Sequence, residues 1–151
     1  MYWGLRAIGI PDLGEKLKQI DLEKTYIPES SLTTEEKDNL QRAKNIIQMA
    51  TEKMNFWGLD YTRPRPLKLD YPCKIFTSKS MKAIGYSNSY NGEIGIHQVV
   101  LKSLPQTCMV LLEEAIHYEY GLDDVTAQFQ QIYVQASGSL VSFLMREYKW
   151  D

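Results

Sequence analysis

Glu113, Glu114 and His117 stand in one run, Glu113-Glu114-Ala115-Ile116-His117, with Gly121 and Asp124 shortly after it. On a helix, residues four apart project from one face. Glu113 and His117 would therefore point the same way, with Tyr120 nearly a turn further on and Glu114 about 100° round. Gly121 suits the left-handed position that closes a helix, and the turn it permits would bring Asp124 back toward that face. Glu113, His117 and Asp124 could then supply three ligands to a divalent cation and leave a fourth position for water, the open arrangement a catalytic metal needs; Glu114 would take a proton from that water. A plainer reading competes with this one: Glu113, Glu114, Glu119, Asp123 and Asp124 would be solvated, with one aspartate acting as a helix cap. Two features favour a cleft. The near-continuous apolar run from Cys108 to Leu112 implies a well-buried helix, and His117 is enclosed between Ile116 and Tyr118.

The elements that must position these residues are legible in outline. Ser103-Leu104-Pro105 opens the helix that carries the run, with proline in its permitted first turn, and the helix is expected over residues 104–120. Before it, Cys73-Lys74-Ile75-Phe76-Thr77 reads as a short strand. Lys82 to Tyr90 and Glu93 to Val99 flank Asn91-Gly92, a hairpin signal of type I′, with Ile84 and Tyr86 facing Ile94 and Ile96 in half-buried alternation. His97 ends the second of these strands and is expected at the surface or hydrogen-bonded, with the cleft as the lesser alternative. Further upstream, Thr33 and Glu36 form a capping box. A helix follows with its apolar stripe on Leu40, Ala43, Ile46, Ile47, Ala50 and Met54, closing near Gly58. Thr62-Arg63-Pro64-Arg65-Pro66 must be extended and is expected as a connector. After the run, Asp123 or Asp124 caps a last long helix whose stripe includes Phe129, Ile132, Tyr133, Ala136, Leu140 and Phe143. Residues 1–30 read as an extension with little legible order beyond a short helix between Asp12 and Lys24, and residues 31–151 as one domain. The class expected is α+β: a small, mainly antiparallel sheet with a hairpin, packed against the helix of the acidic run and two further long helices.

Bulk composition narrows the function classes. A chain of 151 residues with 44% apolar and 24% charged residues is long enough to bury a core and is close to globular averages. A formal charge of -2 gives no basic footprint, so no nucleic-acid partner is expected. The absence of an apolar run of about 18 residues argues against a membrane span. The first residues, Met1-Tyr2-Trp3-Gly4-Leu5-Arg6, do not form a secretion signal. Cys73 and Cys108 are far apart without a C-x-x-C spacing and read as buried free thiols in a reducing compartment. A cytoplasmic protein is the expectation; the oligomeric state is not readable.

Val110-Leu111-Leu112-Glu113-Glu114-Ala115-Ile116-His117-Tyr118, with Gly121, Asp124, Thr126 and Phe129, resembles a family of bacterial and phage zincin-like domains. Their signature is H-E-x-x-H-x-x-x-G-x-x-D-x-T-R-x-F, and the resemblance covers roughly residues 70–135. The upstream hairpin with Glu93-Ile94-Gly95-Ile96 is similar to the edge-strand segment beside the motif helix in such folds. The resemblance implies His117 as a metal ligand, Glu114 as general base and Asp124 as a third ligand or its support. Two positions depart from the signature: Glu113 replaces the first histidine and Ala127 the arginine. A glutamate at that ligand position makes the donor set harder and more anionic, shifting preference from zinc toward manganese, magnesium or calcium. Without a cation, the clustered carboxylates would favour protonation of at least one. The expected function is therefore a degenerate zincin-like protein, catalytically impaired or inactive, that acts by binding a protein or peptide. The alternative is a metal-dependent hydrolase, a peptidase, on an unusual Glu113/His117/Asp124 site.

Overall fold

Thr33 and Glu36 close the capping box that their spacing predicts. In the computed structural model, which describes residues 24–52, 65–80, 83–122 and 126–146, Glu36 Oε1 accepts from Thr33 N at 2.9 Å and Thr33 Oγ1 accepts from Glu36 N at 3.1 Å. Helix α1 (Thr34–Thr51) follows. Its stripe of Ala43, Ile46, Ile47 and Ala50 is buried, with Leu40 packed at the edge of the core. Met54 and Gly58 lie outside the described residues.

Four strands form one sheet in the order β1-β2-β4-β3. Strand β1 (Lys24–Ile27) pairs antiparallel with β2 (Cys73–Ser78), and β2 pairs parallel with β4 (Glu93–His97), which in turn pairs antiparallel with β3 (Gly85–Asn88). The sheet is thus mixed: both outer pairings are antiparallel and the central one is parallel, as it must be when the chain leaves β2 and returns through the β3–β4 hairpin. The sheet also reaches back to Lys24, into the segment that the sequence placed in an N-terminal extension. The short helix expected from Asp12 falls largely on residues outside the described ones.

The β3–β4 hairpin forms, though not on a type I′ turn. Asn88 pairs with Glu93, which leaves the four-residue loop Ser89-Tyr90-Asn91-Gly92. Of these only Gly92 takes a positive φ, 67°, whereas a type I′ turn needs it at both central residues. Asn88 Oδ1 accepts from the amides of Tyr90 and Asn91 at 3.0 and 3.2 Å, so a side chain replaces the tight turn.

Helix α2 (Leu104–Tyr120) has the bounds the sequence predicts, with Ser103 as N-cap, proline in the first turn and Gly121 left-handed at φ 66°. Leu111, Leu112, Ala115 and Ile116 are fully enclosed. They meet α1 on one side and the inner face of the sheet, Ile75, Ile94 and Ile96, on the other. Helix α3 (Ala127–Arg146) packs on α1 and α2 through Phe129, Ile132, Ala136, Leu140 and Phe143. Its cap is Thr126, whose Oγ1 accepts from Phe129 N at 3.1 Å; Asp123 and Asp124 lie outside the described residues. The result is one layer of helices on one face of a small sheet, the α+β class expected.

Cys73 and Cys108 are free, and burial pushes both thiols up to about 11. No helix among the described residues is long and apolar enough to cross a membrane.

Replacing Thr33 with alanine is expected to cost about 1 kcal/mol, read as a lowered urea midpoint. The Glu36 carboxyl is held below its ordinary value of 4.5, first by the Thr33 backbone amide and against the effect of burial, with the Thr33 hydroxyl, Gln98 and Lys102 adding to it. A carboxyl lowered on folding adds stability above the unfolded value, and that stability is lost as pH falls through the folded one. Glu36→Gln should therefore flatten the fall in stability as pH drops below 4.5, measured by urea melts across that range.

Candidate functional site

Burying α2 on several sides gives Glu114, the Glu113–His117 pair and Glu119 different surroundings. Glu114 is 9% exposed and turns toward strand β3, the sheet edge. A Cβ built on Gly85 would stand 2.7 Å from Val110 Cγ1 and 3.0 Å from Glu114 Cγ. Only a glycine lets the edge strand lie this close over the helix. The side of β3 facing the helix is therefore that of Gly85 and Ser87. Tyr86, expected to alternate with Ile94 and Ile96, instead pairs with Gly95 and covers it on the outer face of the sheet. Strand β4 is internal, so the edge beside the motif helix is β3.

His117 is fixed from two directions. Nδ1 lies 2.6 Å from the carbonyl oxygen of Leu122, just beyond the Gly121 turn, and the ring stacks on Phe129 with centroids 4.1 Å apart and planes 6° from parallel. A carbonyl can only accept, so in the neutral ring Nδ1 carries the proton and Nε2 the lone pair. Phe129 in turn stacks on Tyr133 at 5.7 Å. Glu113, one turn before His117, acts on this same row: burial first, and then the Glu113 carboxylate, hold the Tyr133 hydroxyl above its usual value. On the face that carries Glu113 and His117, Phe129 of α3 thus covers the His117 ring, while both residues stay partly exposed.

Among the described residues no three His, Cys, Asp or Glu side chains come together as a cation site. Glu113 and His117 share a face; Asp124, the third ligand of the sequence reading, lies outside the described residues. Among the described residues, then, two candidate donors share this face, where a catalytic zinc site uses three protein ligands. His97 does not join them. It is buried on the outer face, edge-on to Phe76 at 5.3 Å, with Ser78 N at 3.2 Å from Nε2 and Val99 N at 3.1 Å from Nδ1. A neutral imidazole accepts at only one of these nitrogens.

Glu119, a solvated acid in the plainer sequence reading, is instead bonded by several donors. Its side chain is 6% exposed and lies 3.6 Å from the Arg65 guanidinium. It accepts from the amides of Lys68 and Leu69 and from the Tyr71 hydroxyl, the last at 2.8 Å. Tyr120 adds two bonds to the Arg65 backbone. These contacts tie the connector 65–71 across the C-terminal end of α2 and hold Leu69 at φ 53°. The sequence did carry a signal for this: a glutamate in a last helical turn opposes the helix dipole and implies donors from elsewhere. The glycine of Ile84-Gly85-Tyr86 likewise signalled a close backbone approach.

Comparison of the chain with protein-family models, with curated proteins and with solved structures finds no match.

Phe129→Ala removes both a buried ring and the stack on His117, and is expected to cost about 3–5 kcal/mol, measured by denaturant unfolding. Phe129→Leu, which keeps most of the volume, should lose well under half as much. Equal losses would mean that ring stacking, and not filled volume, holds α3 on α2.

Proposed function

We propose that this chain is a degenerate zincin-like protein, impaired or inactive in catalysis, that acts through binding of a protein or peptide. The observation that carries this reading is the stacking of the His117 ring on Phe129 of α3, with centroids 4.1 Å apart. A glutamate stands at the first ligand position of that same face. A reaction cleft needs room for substrate and water beside the metal ligands, and an aromatic ring stacked flat on the histidine takes up part of that room. The helix, the edge strand β3 lying against Glu114, and the α+β order around them agree with the zincin-like build implied by the sequence.

One specific observation favours the second reading, a metal-dependent peptidase. Histidine ligands commonly donate their other ring nitrogen to a carbonyl, which fixes the tautomer and orients the ligating atom. The bond from His117 Nδ1 to Leu122 O has that form. In this reading Glu113, His117 and Asp124 would hold the ion (zinc, or more readily manganese, magnesium or calcium) and Glu114 would serve as base. A bound cation would supply charge stabilisation and an activated water.

Elemental mass spectrometry of the purified chain, before and after EDTA treatment and reconstitution with each of these ions, separates the two. The expected result is well below one metal per chain for the native sequence, while Glu113→His gains zinc affinity by about tenfold or more, the scale on which even supporting groups act. Near-stoichiometric metal in the native chain, kept in Glu114→Gln and lost in His117→Ala, would overturn the proposal in favour of the peptidase.

A further inference from the structure

Helix α3 has two apolar faces. One is the core face already described; the other consists of Val134, Val141 and Met145, which are 67%, 53% and 81% exposed. At about 100° per residue these three and Gly138 fall on a single line, opposite Ala136 and Leu140. From Ala127 to Met145 the helix contains no Asp, Glu, Lys or Arg. Solvated helix faces are ordinarily charged, whereas here uncharged Gln and Ser residues, Gln130 and Ser142 among them, flank the exposed apolar line. Gly138 points the same way. It lies in mid-helix without a positive φ, and a Cβ placed on it would meet nothing within 4 Å. Nothing in the fold needs a glycine there, although glycine is a poorer helix former than alanine. Close approach of a second backbone would need one.

We propose that α3 of one copy packs antiparallel against α3 of a second copy through Val134, Gly138, Val141 and Met145. The spacing of these residues, four, three and four, reads the same in both directions. A two-fold axis passing between residues 139 and 140 therefore sets Val134 against Met145 of the second copy and Gly138 against Val141 of the second copy. A two-fold interface requires this self-complementarity, and the alternation of four and three is that of a helix–helix seam. The charge pattern agrees: with no ionised side chain up to Met145, self-pairing brings no like charges together, and antiparallel helix dipoles attract. A lipid surface is the poorer occupant, since helices that lie on membranes carry lysine and arginine on their polar face. A 20-residue helix is about 30 Å long, and one such strip falls short of the roughly 800 Å² per partner of a standard interface. The dimer is therefore reversible and concentration-dependent. This inference goes beyond the zincin-like reading and holds whether or not a metal binds.

Sedimentation equilibrium of the full chain, from low to high micromolar concentration, tests it. The expected result is a reversible monomer–dimer equilibrium. Val141→Glu should abolish it without changing the circular dichroism or the Tm of dilute protein. Gly138→Ala should weaken it about fivefold or more, as overpacking a close contact does, while leaving the dilute Tm unchanged or higher. A monomer at every concentration would overturn the proposal, as would a dimer indifferent to both substitutions. If Val141→Glu destabilises the dilute protein and Val134→Lys does the same, the face is covered by the chain itself, which also overturns it.

Discussion

Everything in this fold depends on the burial of α2. Its apolar residues Leu111, Leu112, Ala115 and Ile116 are fully enclosed between α1, α3 and the sheet, so the polar side chains in its C-terminal half, from Glu113 to Tyr120, are buried or partly buried against protein. Burying an ionisable group without partners costs several kcal/mol. The surrounding segments are arranged accordingly: the connector 65–71 donates to Glu119, the Leu122 carbonyl accepts from His117, and a glycine in β3 makes room for Glu114.

Glu113, Glu114, His117 and Glu119 consequently have different roles although they lie within seven positions. Glu119 is structural: its bonds lock the connector over the helix end, and two of them go to backbone amides that would otherwise have to reach water. His117 has its ring plane set by Phe129 and its proton by Leu122 O. Glu113 lies one turn before His117 on the same face, and after burial its charge helps hold the Tyr133 hydroxyl above its usual value. Glu114 lies under the sheet edge. The degenerate zincin-like reading proposed above rests on this arrangement: Glu113 and His117 four positions apart on one helix, with the His117 ring stacked on Phe129.

Much of this was legible in the sequence where one local rule decides the outcome. The bounds of α2 followed from Ser103, Pro105 and Gly121, and the start of α1 from the Thr33–Glu36 box, because caps act within a single turn. The hairpin followed from Asn91-Gly92, but its turn type did not, since the Asn88 side chain offered the backbone a four-residue alternative. Strand β1 went unread because four residues before a proline carry little pattern, although Thr25-Tyr26-Ile27 has the β-branched and aromatic character of a strand. Which face of β3 meets the helix was misjudged for a packing reason: a glycine pointing inward looks like a break in the alternation, whereas here it is what lets helix and strand touch. The outer stripe of α3 is hard to see in the sequence because the inner stripe alone already accounts for a helix there.

The central claim is that His117 belongs to the packed framework of α2 and α3 and not to a working metal centre. Long-range proton–nitrogen correlation spectra of the two histidine rings, recorded while zinc is added, test it most directly, with His97 as the internal reference. A proton resident on His117 Nδ1 and no zinc-dependent shift at Nε2 is the expected result. A saturating shift at Nε2 with one equivalent of zinc would contradict it and make this helix part of a live metal site.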